Sequence, residues 1–315
     1  MMQLPNPENP LRIGTRASPL AMAQANMTVA ALIAAHGLTP ESLQIVPMTA
    51  TGDRILDRAL AEVGGKALWT RELDFALDGH QIDIAVHSLK DVETERDARF
   101  ALGAMLERAD PRDRLVVPAG QTAASILDLS AGTRLGTSSP RRAAQVRRIR
   151  PDIQTKLLRG NVATRLSRLA EGDVDATLLA AAGLDRLGMY GVGHVQERQL
   201  LLPAASQGAI GIECRSDDSD TLALIHAINH QPTYAAVAAE RAFLAGLGGD
   251  CRSPVAAHAH FMDNGALWLD AEIYAADGSD CVANSTVVQD ENSAKDLARQ
   301  MLDAASTDIR ALFGG

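Results

Sequence analysis

Residues 11–37, LRIGTRASPLAMAQANMTVAALIAAHG, contain the unit from which most of this chain is assembled. Leu11 to Thr15 is a short apolar run that reads as a buried strand. Ser18 then offers a side-chain oxygen suited to an N-cap, and Pro19 stands at the first helical position, where its missing N–H has no partner to lose. The helical pattern runs to His36 and stops at Gly37. A strand leading through a tight turn into a helix is the building block of open α/β layers.

The unit recurs downstream. Further strands are expected at Leu43 to Met48, Ile82 to Val86, Leu115 to Val117, Thr133 to Gly136, Ile153 to Leu157 and Ala176 to Ala180. Helical patterns fall at Trp69 to Leu77, Arg141 to Ile149 and Val162 to Ala170. Beyond about residue 218 the order changes: helices at Thr221 to Asn229 and Thr233 to Leu244 come first. Strands at Val255 to Phe261, Leu267 to Tyr274 and Cys281 to Val288 follow, and a last helix covers Ser293 to Leu312. That succession predicts a separate α+β domain.

The chain has 315 residues, so two or three domains are expected, and with only 3% aromatics their cores must be aliphatic. No window approaches the roughly 18 apolar residues of a membrane span, and the start, MMQLPNPENP, lacks the basic and apolar segments of a secretory signal, which points to the cytoplasm. Cys214, Cys251 and Cys281 form no CxxC pair, which argues against a disulfide framework and a structural zinc.

Between residues 134 and 168 stand nine arginines and one lysine against a single acid, Asp152. The segment is about +9 in a chain of net charge -9, which leaves about -18 on the rest. Its own sequence neighbours cannot neutralise it, and guanidinium is a planar fork suited to carboxylate or phosphate. A site for a polyanion is the first inference. Nucleic acid is disfavoured by the acidic remainder and the few aromatics.

Four turns have the chemistry to form such a site. Gly136-Thr-Ser-Ser-Pro-Arg-Arg142 follows a strand and opens a helix, so backbone N–H groups, the hydroxyls of Ser138 and Ser139 and the helix dipole converge on one point. Arg159-Gly-Asn-Val-Ala-Thr-Arg165 repeats the arrangement, as does Gly14-Thr-Arg-Ala-Ser-Pro19. His87-Ser-Leu-Lys-Asp-Val92 leaves a buried strand and can project Ser88, Lys90 and Asp91 into the crevice beyond the strand ends. Each alone also fits an ordinary capped helix or a surface ion pair, and His87 reads as a structural histidine. Gly64-Gly-Lys66 adds a possible anion contact without P-loop spacing. Leu247-Gly-Gly-Asp-Cys-Arg-Ser-Pro254 places Cys251 in a glycine-rich turn beside Arg252, a setting for a reactive thiol, whereas Cys214 and Cys281 read as small buried hydrophobes. His258 and His260 share one strand face but lack a third metal ligand.

In order and spacing, LRIGTRASPLAMAQA, TGDRILD, GGKALWTREL, IDIAVHSLKDV, ERADPRD, GTSSPRRAAQ, LLRGNVATRL, LLAAAGLDRLG, LPAASQGAIGIECR and AERAFLAGLGGDCRSPV resemble the porphobilinogen deaminase family over nearly the whole chain. The resemblance implies two periplasmic-binding-protein-like (type II) α/β domains with two crossings, near residues 108 and 205, plus a smaller C-terminal α+β domain carrying the cofactor cysteine. The corresponding boundaries are 1–107 with 206–222, 108–205, and 223–315. It implies head-to-tail joining of four porphobilinogens with loss of ammonia, followed by hydrolysis of the linear tetrapyrrole. The primer would be a dipyrromethane bound through a thioether to Cys251, and Asp91 would stabilise the cation formed as ammonia departs. Lys66, Ser88, Lys90, Asp91, Ser139, Arg141, Arg142 and Gly160 would contact this cofactor. Arg16, Ser18, Gln24, Arg159, Arg165, Arg186 and Gln207 would contact substrate. No metal, nucleic acid or membrane partner is implied, and a monomer is expected. Trp69, Glu62 and Arg71 depart from the family's common Phe, Lys and Lys. The competing reading is a non-catalytic anion-binding protein of the same architecture, which leaves Cys251 without a role.

Overall fold

The computed structural model describes residues 4–49, 69–250 and 252–313. Among them the chain forms two compact units, one from 4–49, 69–109 and 209–234, the other from 110–208, 235–250 and 252–313. The opening stretch folds as its sequence predicts. β1 (Leu11–Arg16) leads to Ser18, whose hydroxyl accepts the Ala21 N–H, and α1 (Pro19–His36) ends at Gly37 with φ 65°. Ala21, Gln24, Ala25, Thr28 and Leu32 are buried, a stripe of three- and four-residue spacing on one side of α1.

In chain order, β2 (Leu43–Met48), β3 (Ile84–Ser88) and β4 (Phe100–Met105) belong to the first unit. β5 (Asp113–Val116), β6 (Arg134–Thr137), β7 (Gln154–Leu157), β8 (Ala176–Ala180) and β9 (His194–Val195) belong to the second, and β10 (Ile210–Arg215) returns to the first. The helices are α2 (Arg71–Asp78), α3 (Pro140–Ile149), α4 (Val162–Ala170), α5 (Ala181–Arg186), α6 (Ser219–His226), α7 (Gln231–Gly246), α8 (Glu291–Ala304) and α9 (Thr307–Arg310).

Two five-stranded sheets share one plan, β2-β1-β3-β10-β4 and β7-β6-β8-β5-β9. In each, three strands are parallel and the next is antiparallel, β10 against β3 and β5 against β8. The antiparallel strand is the one that directly follows a passage between units, at 109/110 for β5 and 208/209 for β10. Helices cover both faces of each sheet. In the first, Leu32 of α1 and Leu224 and Ile225 of α6 pack with Ile13, Ile84 and Ile212, while Leu73 and Leu77 of α2 pack with Ile82 and Phe100. Full burial of each such side chain contributes roughly 1.5–3 kcal/mol.

The C-terminal part is an antiparallel sheet of β11 (Val255–Phe261), β12 (Leu267–Tyr274) and β13 (Cys281–Val288), with Phe243 of α7 and Leu297 and Met301 of α8 packed against Leu269 and Ile273. The fold is therefore two α/β sheets plus a smaller α+β part. No helix among the described residues is long and apolar enough to cross a membrane.

Several features depart from the sequence expectation. β4 and β10 are not among the expected strands, and their Gly103 and Gly211 permit close packing: a Cβ on Gly103 would lie 2.5 Å from Ile225, and one on Gly211 would lie 2.8 Å from Leu89. The expected helix Ser293 to Leu312 is two helices, because Ser306 caps α9 by accepting the Ile309 N–H. A boundary at 222/223 falls inside α6, whose Leu224 and Ile225 lie in the first core.

Candidate active site

In the first unit, β1 ends at Arg16 and β3 at Ser88, and a cleft at those ends is lined by Arg16, Ser18, Gln24, Trp69, Ser88 and Asp91. Ligands of open α/β sheets sit beyond strand C-termini, and Arg16, Ser18, Gln24, Ser88 and Asp91 in this lining are site residues expected from sequence. Asp91 closes the 3₁₀ turn Leu89–Asp91, which is fastened by Leu89 N–H donating to Ala209 O at 3.1 Å and Val92 N–H donating to Leu89 O. The Gln24 amide and Ser88 hydroxyl are hydrogen-bonded at 2.8 Å, so a buried glutamine fixes the serine rotamer. The Arg16 guanidinium lies 4.2 Å from the Trp69 ring centroid, a cation–π contact that orients it. Arg71 instead lies over Phe75 of its own helix.

In the second unit, Ser139 caps α3 by accepting the Arg142 N–H, and Asn161 caps α4 by accepting the Thr164 N–H. The two turns converge as expected: Arg165 Nη2 donates to Ser138 Oγ at 3.3 Å and its Nε donates to Gly160 O at 2.8 Å. Gly160 has φ 110°, a conformation that favours glycine. Arg159 is buried beside it, just after β7.

Arg141 and Arg142 are placed differently from the open anion grip their sequence suggests. Both are buried, and both guanidiniums engage one carboxylate, Asp113, at 2.8 and 2.6 Å. Gln207 donates to the same carboxylate at 2.8 Å. Arg141 also donates to Leu202 O and Gln145, and Arg142 to Leu178 O. Burial opposes ionisation of Asp113, but the two guanidiniums outweigh it and hold the carboxyl well below the usual range. For Arg141 burial prevails, with Arg142 repelling it, and its pKa falls below the ordinary arginine value. Two cations on one anion still leave a net positive charge.

Two further arginines of the basic stretch pair with acids outside it, and others are held locally. Arg134 pairs with Asp175 and Arg168 with Asp173, while Arg150 pairs with Asp152 and donates to Ile126 O and Leu129 O. Arg147 donates to Thr155. The segment therefore contributes chiefly Arg159 and Arg165, with the Asp113-linked pair, to any anion site.

Arg186 differs from these. Its Nη2 donates to Gly208 O at 2.6 Å, and burial pushes its pKa down to about 10 with no carboxylate opposing that shift. The Nε atoms of Arg141, Arg142 and Arg186 are buried with no hydrogen-bond partner among the described residues. Orphaned cationic N–H groups suit a carboxylate-rich ligand, so the donor set fits a dipyrromethane with acetate and propionate arms.

Burial raises the Cys214 thiol to about 12 and the Cys281 thiol to about 11, so neither is disposed to ionise. Cys251, Lys66 and Glu62 lie outside the described residues. His258 and His260 stack with centroids 5.5 Å apart, and no group of three potential metal ligands occurs among the described residues. Sequence reading missed Asp113 and Glu213; their one signal was an acid opening or interrupting a short apolar run, as in Asp113-Arg-Leu-Val-Val117.

Two α/β sheets with hydroxyls and guanidiniums at their strand ends define an α/β protein suited to anionic ligands. The chain belongs to the porphobilinogen deaminase family. The family model described as "Porphobilinogen deaminase, dipyromethane cofactor binding domain" matches residues 11–223, and "Porphobilinogen deaminase, C-terminal domain" matches 234–305. The porphobilinogen deaminase of Sphingopyxis alaskensis is 70% identical over 313 residues, 99% of each chain. That of Paracoccus denitrificans is 46% identical over 98% of this chain and 99% of its own. Among solved structures, a putative periplasmic sulfonate-binding protein, SsuA, from Methylobacillus flagellatus is similar over 72% of this chain and 67% of its own, at 18% identity and TM-score 0.38. A TRAP periplasmic solute-binding protein from Desulfovibrio salexigens is similar over 71% and 73%, at 11% identity and TM-score 0.42.

Proposed function

We propose that this enzyme joins four porphobilinogens head to tail onto a dipyrromethane held by a thioether to Cys251, releasing one ammonia per addition, and then hydrolyses off the linear tetrapyrrole hydroxymethylbilane. It works as a cytoplasmic monomer with no nucleic-acid or membrane partner. The observation that carries this reading is the first-unit cleft, where the Asp91 carboxylate stands with Arg16, Ser18 and Ser88. The reaction asks for that combination: a cation and hydroxyls to hold the substrate's carboxylates, and a fixed anion for the positive charge that develops as the amine leaves.

Arg16 and Ser18 bind a substrate carboxylate, with Gln24 holding Ser88 in place. Asp91 accepts the pyrrole N–H and lies against the developing cation, with Lys90 beside it in the same turn. Ser139, Arg141, Arg142 and Gly160, with Lys66, Ser88 and Lys90, hold the carboxylates of the primer. The primer, once attached, supplies a tethered ring to which each new unit is joined. Arg159, Arg165, Arg186 and Gln207 serve the substrate and the growing chain, which gains two carboxylates per cycle. A non-catalytic anion binder would need neither Asp91 nor Cys251. The three sheets are taken as three domains, 1–107 with 206–226, 108–205 and 227–315, with the 222/223 boundary expected from sequence moved to the end of α6.

Intact mass tests the anchor. Active wild-type protein is expected to exceed its polypeptide mass by two linked pyrroles, and Cys251→Ala to show the bare polypeptide mass and no turnover. An active wild type at bare mass would remove the primer from the proposal. Arg186 tests carboxylate recognition: Arg186→Leu is expected to raise KM for porphobilinogen about 10- to 100-fold, the scale of one lost charge-assisted contact. An unchanged KM would place Arg186 outside the substrate contacts.

A further inference from the structure

Glu213 of β10 is 0% exposed, yet the reaction described above gives it no role. It pairs across the sheet with Ala85 of β3, so its side chain shares a face with His87, two residues along. Its Oε2 lies 3.2 Å from His87 Nε2, an ion-pair distance without hydrogen-bond alignment. The other partner is Arg96, which grips both carboxylate oxygens, Nε to Oε1 at 2.9 Å and Nη2 to Oε2 at 2.8 Å.

His87 and Arg96 bracket the segment that carries Asp91. The chain leaves β3 at Ser88, makes the turn Leu89–Asp91, and returns through Arg96 to β4. One carboxylate therefore reaches both ends of that excursion. Arg96 extends the hold, donating to Asp74 Oδ1 at 2.6 Å and to Glu93 Oε2 at 2.8 Å, and Thr70 donates to Asp74. Thr70 and His87 themselves line the cleft beside Asp91.

We propose that Glu213 is a positioning residue for Asp91, clamping the 88–96 segment from behind the cleft through His87 and Arg96. The inference rests on the catalytic reading of Asp91. Burying several charges behind the cleft gives no stability that well-packed apolar side chains would not match. Such a cluster does fix geometry, because a bidentate guanidinium–carboxylate pair specifies distance and plane. Burial alone would raise the Glu213 pKa, yet His87 and Arg96 hold it at about 2, so the Glu213 carboxylate stays ionised wherever the enzyme is folded and working.

The test uses primer-loaded enzyme, with loading measured by intact mass so that kcat is expressed per loaded molecule. Glu213→Gln is expected to lower kcat about 10- to 100-fold with KM within about twofold, since misplacement of a catalytic group by about 1 Å has effects of that order. In an Asp91→Asn background the same change is expected to cause no further loss, because the group it positions no longer acts. A role confined to stability predicts the reverse: unchanged kcat per loaded molecule, or an equal loss in both backgrounds, and either result overturns the proposal. Should Glu213→Gln fail to fold, Arg96→Lys, which keeps the charge but loses the two-point grip, is read in the same way. If Asp91→Asn itself turns over normally, it is the catalytic reading that fails, not the clamp alone.

Discussion

Asp91→Asn is expected to lower porphobilinogen turnover about 10²–10³-fold, the loss typical when one preorganised charge stabiliser is removed. Asparagine matches aspartate in shape and still accepts a hydrogen bond from a pyrrole N–H, so substrate binding and KM should change little. What it lacks is the negative charge against which the cation develops as the amine departs. The site is well placed to show such an effect. Asp91 ends a turn whose backbone is tied to Ala209, and it lies in the cleft with Arg16, Ser18 and Ser88. Single-turnover measurement of ammonia release on primer-loaded enzyme would check it. Turnover within a few-fold of wild type would remove Asp91 from the mechanism.

Asp113→Asn is expected to destabilise the second unit by about 3–5 kcal/mol, because it leaves two buried guanidiniums without their shared counter-charge. Arg141 and Arg142 both reach Asp113, and Gln207 completes the cluster. The pH dependence has a definite sign. The folded carboxyl is held well below its ordinary 3.8, so Asp113 contributes stability that is fully present above that value. This contribution is lost as pH falls from about 4 toward the depressed folded value. Thermal unfolding at pH 7 should show a clearly lower Tm for the variant, and the gap should narrow as pH is lowered below about 4. Equal Tm values at pH 7 would mean that Asp113 is not the counter-charge of the pair. By the same cluster, Arg142→Leu is expected to lose stability as well as ligand affinity.

Legibility in the sequence followed the range of the interactions. The turn at Ser18 could be read because capping and Pro19 act within four residues. The GTSSPRR and LRGN turns were legible for the same reason, and so was the emergence of Ser88 and Asp91 from a buried strand. β10 was not, since Gly211 looks like a breaker until Leu89 is seen packed against it. The basic stretch was the least reliable guide. Its charge was counted correctly, but Asp113, Asp173 and Asp175 all lie outside it and pair with four of its arginines.

The amino-acid sequence by itself determined the repeated strand-turn-helix units, the side chains each turn presents, and the family to which their order belongs, because caps, apolar periodicity and motif spacing are local properties of the chain. Tertiary structure alone decided which charges meet. Sheet order brings β5 beside β8 and so places Asp113 under Arg141 and Arg142, and it brings β10 beside β3 and so places Glu213 between His87 and Arg96. Those pairings depend on strands distant in sequence, and ion pairs form only where the packed backbone carries the two groups within contact distance.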